Sequence, residues 1–273
     1  DAKRNLPSHA GSLDTLIEHY TLSLREIDRL QREFEQARGE YVSLELGVDD
    51  VADHVRKRYA GVAEKVQAIF VKHLEKDGWP PQGRLANVDV FDKLVAPLLA
   101  ERTKRVGYFL IDALRYELGL ELHRQLTDAG ATKIHAVSAQ LPTVTPVGMA
   151  SLLPGASKKL TVMRDGKDVV AAFDGLRLTT VATRMKVFEQ QYGDRFAQMT
   201  LSELNSGKKT KVPDAVNLLV VRSTEIDSHL ESNPDTTLGL VHHVLKGVRV
   251  AIHRLKEAGF TDVVIATDHG FFL

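Results

Sequence analysis

The second half of the chain alternates short, almost unbroken apolar runs with amphipathic helical segments. The run "VGYFLI" begins at Val106 and precedes the helical pattern "LRYELGLELHRQL", while the run at 218–221 precedes "TLGLVHHVLKGVRVAIHRL" and the run at 263–266 follows it. Strands buried on both faces have this composition, and strands that alternate with helices form a parallel sheet. The sequence therefore predicts an α/β fold with a mostly parallel sheet flanked by helices.

Three other segments complete the prediction for this half. "KIHAVSAQLP", from Lys133, is typical of a further strand, and "TPVGMASLLPG" predicts a helix that begins near Thr145. "LTVMRDGKDVV" predicts a β-hairpin with Asp165 and Gly166 in its turn.

The first part of the chain has a helical pattern instead. Apolar residues from Leu13 to Tyr41 recur at three- and four-residue intervals or their sums, and a comparable stripe runs from Asp50 to Lys76. Two such stripes cover each other in an antiparallel helical hairpin, and "KDGWPPQG" ends the pattern because paired prolines cannot continue a helix. We expect a helical N-terminal region over 1–95 and an α/β core over 96–273. Because the chain does not begin with methionine and ends soon after its last strand, we also expect the core to continue in a longer natural chain.

Composition excludes several kinds of site. Lys plus Arg and Asp plus Glu number 36 each, so no overall charge attracts nucleic acid or an anionic membrane, although a local patch is not excluded. The sequence has no apolar stretch of membrane-spanning length and no signal-peptide core at its start, which predicts a cytoplasmic protein without membrane contact. Because cysteine is absent, any metal must be held by oxygen and imidazole ligands.

Polar side chains follow the predicted strands. In an open parallel sheet, ligands gather outside the carboxyl ends of the strands. The residues found there are Asp112, Thr145, Glu225, Asp227, His229, Glu231, Asp268 and His269. Taken alone, Asp112 would be interpreted as the N-cap of the next helix.

Several carboxylates at one edge of a sheet repel each other and require cations, protons or a metal. Arg115, Arg222 and His269 could supply part of that charge. One or two divalent ions, zinc or manganese, would explain the set more fully, since both accept carboxylate and imidazole ligands. Beside such a cation, the hydroxyl of Thr145 becomes a candidate nucleophile or anion-binding group for phosphate-ester hydrolysis.

The motifs "IDALRYE", "LPTVTPVGMASLLPG", "RSTEID" and "ATDHGFFL", in this order, resemble the PglZ family of the alkaline phosphatase superfamily. The similarity covers Val106 to Leu273. The resemblance implies an alkaline-phosphatase-like fold and a metal-dependent phosphohydrolase or phosphodiesterase of the bacterial BREX and phage growth limitation systems. It also implies a phosphate-ester substrate, with nucleic acid or a nucleotide as candidates, and other defence proteins as partners.

The resemblance also implies roles for individual residues. Asp112, Asp268 and His269 would hold one metal, with Thr145 as nucleophile or ligand, and Asp227 would hold a second. The superfamily usually has a histidine four residues after that aspartate, where this chain has Glu231, and His229 lies two residues after it, so both stay open as ligands. Arg115 is a candidate phosphate-binding residue; a surface ion pair with Glu117 or Glu121 is the alternative.

Two other functions remain open at this point. The altered motif around Asp227 would fit a catalytically weak or silent domain that serves as a scaffold for other defence proteins. A phosphomutase or sulfatase-like enzyme would use the same fold, since a fold does not dictate the substrate.

Overall fold

The protein is described by a computed structural model that covers residues 11–40, 48–128, 130–206, 212–232 and 234–271, with only the backbone described at 40, 48 and 234–240. Its first part consists of helices α1 (Leu13–His19), α2 (Arg25–Glu40) and α3 (Val48–Asp77), with a π-helical turn at Tyr20–Leu24 between α1 and α2. None of the described helices is both long enough and apolar enough to cross a membrane.

The second part alternates strands and helices. Its strands are β1 (Val106–Ile111), β2 (Leu160–Asp165), β3 (Asp168–Phe173), β4 (Leu176–Arg177), β5 (Phe196–Thr200), β6 (Leu218–Ser223) and β7 (Asp262–Ala266). Its helices are α4 (Asn87–Val90), a π-helical turn (Phe91–Val95), α5 (Ala96–Ala100), α6 (Tyr116–Gln125), α7 (Thr145–Ser151), α8 (Ala156–Lys159), α9 (Val181–Tyr192), α10 (Leu201–Asn205), α11 (Glu225–Ser232) and α12 (Pro234–Glu257). A 3₁₀ turn at Gly193–Arg195 leads into β5.

A parallel sheet with the order β5-β6-β1-β7 forms the centre of this part. Successive residues of a strand point to opposite faces, so the apolar run of β1 supplies both cores. Tyr108 and Leu110 pack with helices that include α7 and α9, whereas Phe109 and Ile111 pack with α6, α10 and α12. The prediction of a parallel α/β sheet flanked by helices, after a helical N-terminal region, is confirmed.

The prediction of a strand at 133–142 is wrong. This segment makes one isolated parallel bridge, between Ser138 and Ala86. The Ser138 N–H donates to the Leu85 carbonyl at 2.9 Å, and the Asn87 N–H donates to the Ser138 carbonyl at 2.9 Å. The segment therefore pairs with the loop before α4 instead of the sheet. Its alternation of apolar and polar residues is that of a half-exposed segment at the surface.

The predicted hairpin is confirmed, with its turn one residue later. Asp165 pairs with Asp168, which leaves Gly166 and Lys167 in the turn. Gly166 has a φ of 64°, in the left-handed region that glycine adopts most readily. The hairpin belongs to a separate antiparallel sheet, β2-β3-β4, which packs on the core through Ala171 and Phe173.

Helices α2 and α3 form the expected antiparallel pair. Arg56 of α3 binds Glu35 of α2 through two hydrogen bonds of 2.6 and 2.7 Å, and Tyr59 binds Asp28 one turn further along. Tyr41 and the connection at 41–47 lie outside the described residues. The division of the chain at residue 95 stays a prediction, and Phe91 packs inside the core of the sheet.

A buried ion network attaches α2 to the core. Arg32 of α2 donates from Nε and Nη2 to the two carboxylate oxygens of Glu117 at 2.9 and 3.1 Å. Arg115 donates to the same carboxylate at 2.9 Å and to the Asp28 carbonyl at 3.0 Å. The three residues Arg32, Arg115 and Glu117 are no more than 4% exposed. One carboxylate thus offsets two guanidinium groups from two parts of the chain.

We expect Glu117→Ala to lower the free energy of unfolding by about 3–5 kcal/mol, because it leaves two buried guanidinium groups without their carboxylate. The matched control is Glu121→Ala, which removes a surface pair with Arg124 and should cost less than about 1 kcal/mol. Denaturant unfolding measures both values. Equal losses in the two variants would show that the buried network does not stabilise the attachment of α2.

Candidate metal centre

Asp112 is the first residue after β1, at the carboxyl edge of the sheet. Its N–H donates to the Ser223 carbonyl at 2.8 Å, which extends the pairing of β1 with β6 by one residue. The next helix begins only at Tyr116, with Arg115 at its N-cap, so Asp112 is not a capping residue. Its side chain is buried, and Oδ1 has no hydrogen-bond partner among the described residues. The local structure leaves this oxygen free for a ligand.

Asp268 and His269 follow β7 beside Asp112. Asp268 Oδ1 accepts from the N–H groups of Ala113, at 3.3 Å, and His269, at 2.9 Å, while Oδ2 is buried without a partner in the part of the chain described. His269 Nδ1 lies 2.9 Å from the Gly270 carbonyl. Because a carbonyl only accepts, we assign the proton to Nδ1, which leaves the lone pair of Nε2 directed at the carboxylates.

Three polar side chains converge at His269 Nε2. The nitrogen lies 3.1 Å from Thr145 Oγ1, 3.3 Å from Asp268 Oδ2 and 3.6 Å from Asp112 Oδ1. Asp227 completes the arrangement: Asp112, Asp227 and His269 each present a ligand atom, and these three atoms lie within 4.8 Å of one another. We call Asp112, Thr145, Asp227, Asp268 and His269 the strand-end cluster.

Two predicted ligands lie outside this arrangement. His229 and Glu231 are exposed on α11 and do not belong to the three-residue group that contains Asp227. Asp227 itself shares that group with Asp112 and His269, so the structure does not separate it into a second site of its own. The roles of His229 and Glu231 as ligands stay predictions.

Arg115 lies next to the cluster but is directed elsewhere. Its guanidinium binds Glu117 and the Asp28 carbonyl, and its Cζ lies 4.3 Å from the centre of the Phe271 ring. The expected alternative, an ion pair with Glu117, is present, but it is buried and not on the surface. Arg115 also lines a cavity of about 380 Å³ between the N-terminal helices and the segment around Gly270.

Two arginines line a small cavity beside the strand-end cluster and add positive charge there. Arg184 of α9 and Arg222 of β6 line a cavity of about 40 Å³ together with Asp112 and Thr145. Arg222 interrupts an apolar strand, which is a signal in the sequence. Arg184 lies on helix α9, far along the chain from Asp112, and no local pattern in the sequence marks it as part of this site.

Burial raises the pKa of two carboxyl groups of the cluster. Desolvation raises the pKa of Asp112 from its ordinary value of 3.8 to about 8, with further contributions from the charges of Asp268 and Asp227. The pKa of Asp268 is also raised, chiefly by burial. Without a counter-ion, the native state therefore holds protons that the unfolded chain would release.

The cluster fits a divalent metal. Two buried carboxylate oxygens without hydrogen-bond partners and one imidazole lone pair converge, and Asp227 adds a further carboxylate. Oxygen and imidazole ligands suit zinc and manganese alike, so the donor set does not distinguish between them.

Comparison with known proteins agrees with this geometry. The family model described as "BREX system PglZ alkaline phosphatase-like domain" matches residues 90–273, the part that contains the whole sheet and the strand-end cluster. The chain belongs to the PglZ family.

Two curated relatives resemble the chain at low identity. The alkaline phosphatase-like protein PglZ of Bacillus cereus (strain H3081.97) is 24% identical over 267 residues, which is 94% of this chain and 30% of that protein. The alkaline phosphatase-like protein BrxZ of Escherichia coli O9:H4 (strain HS) is 26% identical over 204 residues, which is 71% of this chain and 23% of that protein. The chain thus spans less than a third of the length of either PglZ relative.

We expect Gly148→Ala to disturb the cluster, because its new Cβ would lie 2.7 Å from Asp268 Cβ. Overpacking of this kind costs about 1–3 kcal/mol, and a displaced Asp268 should weaken zinc or manganese binding about tenfold or more. The matched control is Gly119→Ala, whose Cβ would meet only Ile134 Cδ1 at 4.0 Å. Calorimetric titration with the metal measures the difference; equal affinities in both variants would contradict the packing argument.

The raised pKa of Asp112 predicts opposite effects of pH on stability and on metal binding. Without metal, the native state retains a proton that the unfolded chain loses above its ordinary pKa, so this group lowers stability as the pH rises from 3.8 to about 8. Metal must displace the same proton, so metal affinity should increase over this range.

Asp112→Asn tests both effects. At pH 8 without metal, we expect it to raise the free energy of unfolding, on the order of 1 kcal/mol, because it removes a buried charge. The same variant should lose metal affinity. A variant that is less stable than the native protein at pH 8 without metal would show that Asp112 is not under electrostatic strain.

Proposed function

We propose that this chain is the metal-dependent phosphohydrolase core of a bacterial antiphage defence protein, acting on phosphomonoesters or phosphodiesters. The supporting observation is the convergence of Thr145, Asp112 and Asp268 at His269 Nε2, with Asp227 in the same group. A hydroxyl beside carboxylate and imidazole groups that could hold a metal is an arrangement suited to metal-assisted nucleophilic attack on phosphorus.

Asp112, Asp227, Asp268 and His269 would hold the cation, which is zinc or manganese, with one or two ions bound. A divalent cation there would make the Thr145 hydroxyl more acidic and neutralise charge on the phosphoryl group. With the proton on Nδ1, His269 Nε2 carries one lone pair, which lies 3.1 Å from Thr145 Oγ1. The Nδ1–H···O contact with Gly270 fixes the ring orientation in which this lone pair is directed at the cluster.

Thr145 is the proposed nucleophile. It is the first residue of α7, and Pro146 fixes the backbone at the next position. Its Oγ would form a bond to phosphorus while the bond to the ester oxygen breaks. The hydroxyl proton would pass to water, and the departing ester oxygen would take a proton from water to leave as an alcohol. The phosphothreonine so formed would be hydrolysed by water in a second step.

The family supports a proposal for the substrate class and the partners. We propose a phosphate ester, with nucleic acid or a nucleotide as candidates, and association with other proteins of the BREX system. Because the relatives are more than three times as long as the matched segment, these assignments concern the complete protein. A cytoplasmic location is part of the same proposal.

A scaffold domain with little or no catalysis is the second candidate. The observation in its favour is the placement of His229 and Glu231, which are exposed and lie outside the metal-ligating group around Asp227. Fewer metal ligands would weaken metal binding and catalysis. The helical N-terminal region would then serve as the surface that binds other defence proteins.

Hydrolysis of 4-nitrophenyl phosphate and bis(4-nitrophenyl) phosphate by the full-length protein, with added zinc or manganese, tests the proposal. We expect Thr145→Ala and Asp268→Ala to lower kcat by about 100-fold or more, since each removes a group at the reacting phosphorus or its cation. Thr143→Ala is the matched control, because Thr143 is exposed and outside the cluster.

Metal binding to the same samples separates the candidates. Metal that binds without hydrolysis of either ester, in a protein that still binds other BREX proteins, would support the scaffold. A full-length protein that binds no divalent metal would contradict the enzymatic proposal.

A further inference from the structure

The turn that follows β1 is held by the segment that follows β7. The first residue of this turn is the proposed ligand Asp112, and the next two residues donate their backbone N–H groups to side chains of that segment. Ala113 donates to Asp268 Oδ1 at 3.3 Å, and Leu114 donates to Thr267 Oγ1 at 3.0 Å. Asp268 is itself a proposed metal ligand, whereas Thr267 does not belong to the strand-end cluster.

Thr267 uses both hydrogen-bonding functions of its hydroxyl. It accepts from the Leu114 N–H, and it donates to the carbonyl of His269 at 2.8 Å. A hydroxyl has one proton to donate, and here the His269 carbonyl accepts it. The Thr267 side chain therefore links two stretches of backbone that carry proposed ligands: the turn after Asp112 and the peptide group of His269.

The linked turn has an unfavourable backbone conformation. Ala113 has a φ of 56°, in the left-handed region, although it carries a Cβ, and it is completely buried. A residue with a side chain keeps this conformation only where its surroundings hold it there, and such residues concentrate at functional sites. Without the hydrogen bonds to the segment after β7, the turn would relax to a more favourable conformation, and Asp112 would move with it.

Asn87 holds the segment after β7 through a separate contact. Asn87 is the first residue of α4 and is 3% exposed. Its side-chain amide donates to the carbonyls of Thr267, at 3.3 Å, and of Asp268, at 3.0 Å. The backbone of Thr267 is therefore fixed independently of its hydroxyl. Loss of the hydroxyl alone would release the turn after β1 and leave the segment after β7 attached to α4.

We propose that Thr267 is a positioning residue of the metal centre: its hydroxyl holds the turn at Ala113 so that the carboxylate of Asp112 stays beside Asp268 and His269. The inference rests on the proposed function, in which these three side chains bind the cation. Groups that fix the orientation of metal ligands change the metal affinity when they are removed, although they do not contact the metal. Thr267 acts in this way through the backbone of two loops.

Thr267→Val tests the inference, because valine has nearly the same shape as threonine and removes both hydrogen bonds. In the full-length protein, we expect the affinity for zinc or manganese, measured by calorimetric titration, to fall about 10- to 100-fold. Thr267→Ser keeps the hydroxyl and should restore most of the affinity. Unchanged affinity in Thr267→Val would overturn the inference.

The matched control is Thr261→Val, at the amino end of β7, whereas the cluster lies at the carboxyl end. The Thr261 hydroxyl also binds two backbone groups: it accepts from the Arg105 N–H at 3.3 Å and donates to the Arg105 carbonyl at 3.2 Å. We expect Thr261→Val to lower the midpoint of thermal unfolding and to leave the metal affinity unchanged. Equal losses of metal affinity in the two valine variants would show general destabilisation and would contradict a positioning role.

The absorption spectrum of bound cobalt(II) gives a measurement that does not depend on turnover. The visible bands of cobalt(II) depend on its coordination geometry, so they should shift or weaken in Thr267→Val, even at saturating cobalt, and not in Thr261→Val. An unchanged spectrum in a Thr267→Val protein that binds cobalt would overturn the inference.

Hydrogen exchange in the metal-free protein separates this inference from the proposed function. The Ala113 amide binds Asp268 and not Thr267, so its exchange reports on the turn as a whole. We expect this exchange to be at least about tenfold faster in Thr267→Val than in the wild-type protein and in Thr261→Val. Faster exchange in a full-length protein that binds no divalent metal would contradict the proposed function and still support the positioning of Asp112 by Thr267. Unchanged exchange would overturn the inference.

Discussion

Mutual repulsion among buried carboxylates is the constraint on which the arrangement at the sheet edge depends. Asp112 and Asp268 are both almost fully buried, and Asp227 presents a ligand atom near Asp112. The backbone holds them there: two N–H groups bind one oxygen of Asp268, and buried Asn87 donates to the Asp268 carbonyl at 3.0 Å. The fold thus keeps buried carboxylates close together at an electrostatic cost, which a bound cation would relieve.

The packing of Gly148 also holds Asp268 in place at the sheet edge. Helix α7 begins at Thr145 and passes Asp268 so closely that a Cβ at Gly148 would overlap it. The helix that carries the proposed nucleophile therefore packs directly on Asp268, one of the proposed metal ligands. The contact of Gly148 with Asp268 holds the start of α7 beside the segment that follows β7. The Thr145 hydroxyl therefore lies 3.1 Å from the His269 imidazole, although the two residues are 124 positions apart in the sequence.

The sequence predicted those parts of the fold that local patterns determine. The apolar runs of β1 and β6 are buried on both faces of the sheet, and that of the edge strand β7 is partly buried, so all three are recognisable in the sequence together with the polar residues that follow them. The segment at 133–142 alternates like a strand, but its backbone partners lie in the loop around Ala86, and no local pattern reveals a partner so far away. For the same reason the sequence did not indicate that Arg184 reaches the cluster or that Arg115 binds Glu117 in the interior: both depend on packing between distant helices and strands.

Arg115 connects the N-terminal helices to the segment that carries His269. Gly270, the neighbour of His269, lies against Arg115 so closely that a Cβ there would be 3.2 Å from Arg115 Cγ. Arg115 in turn binds the Asp28 carbonyl of α2 and covers Phe271. A force that shifts α2 would therefore reach the imidazole through one side chain and one peptide unit. The helical region therefore contributes, through Arg115, to the position of the peptide unit next to His269.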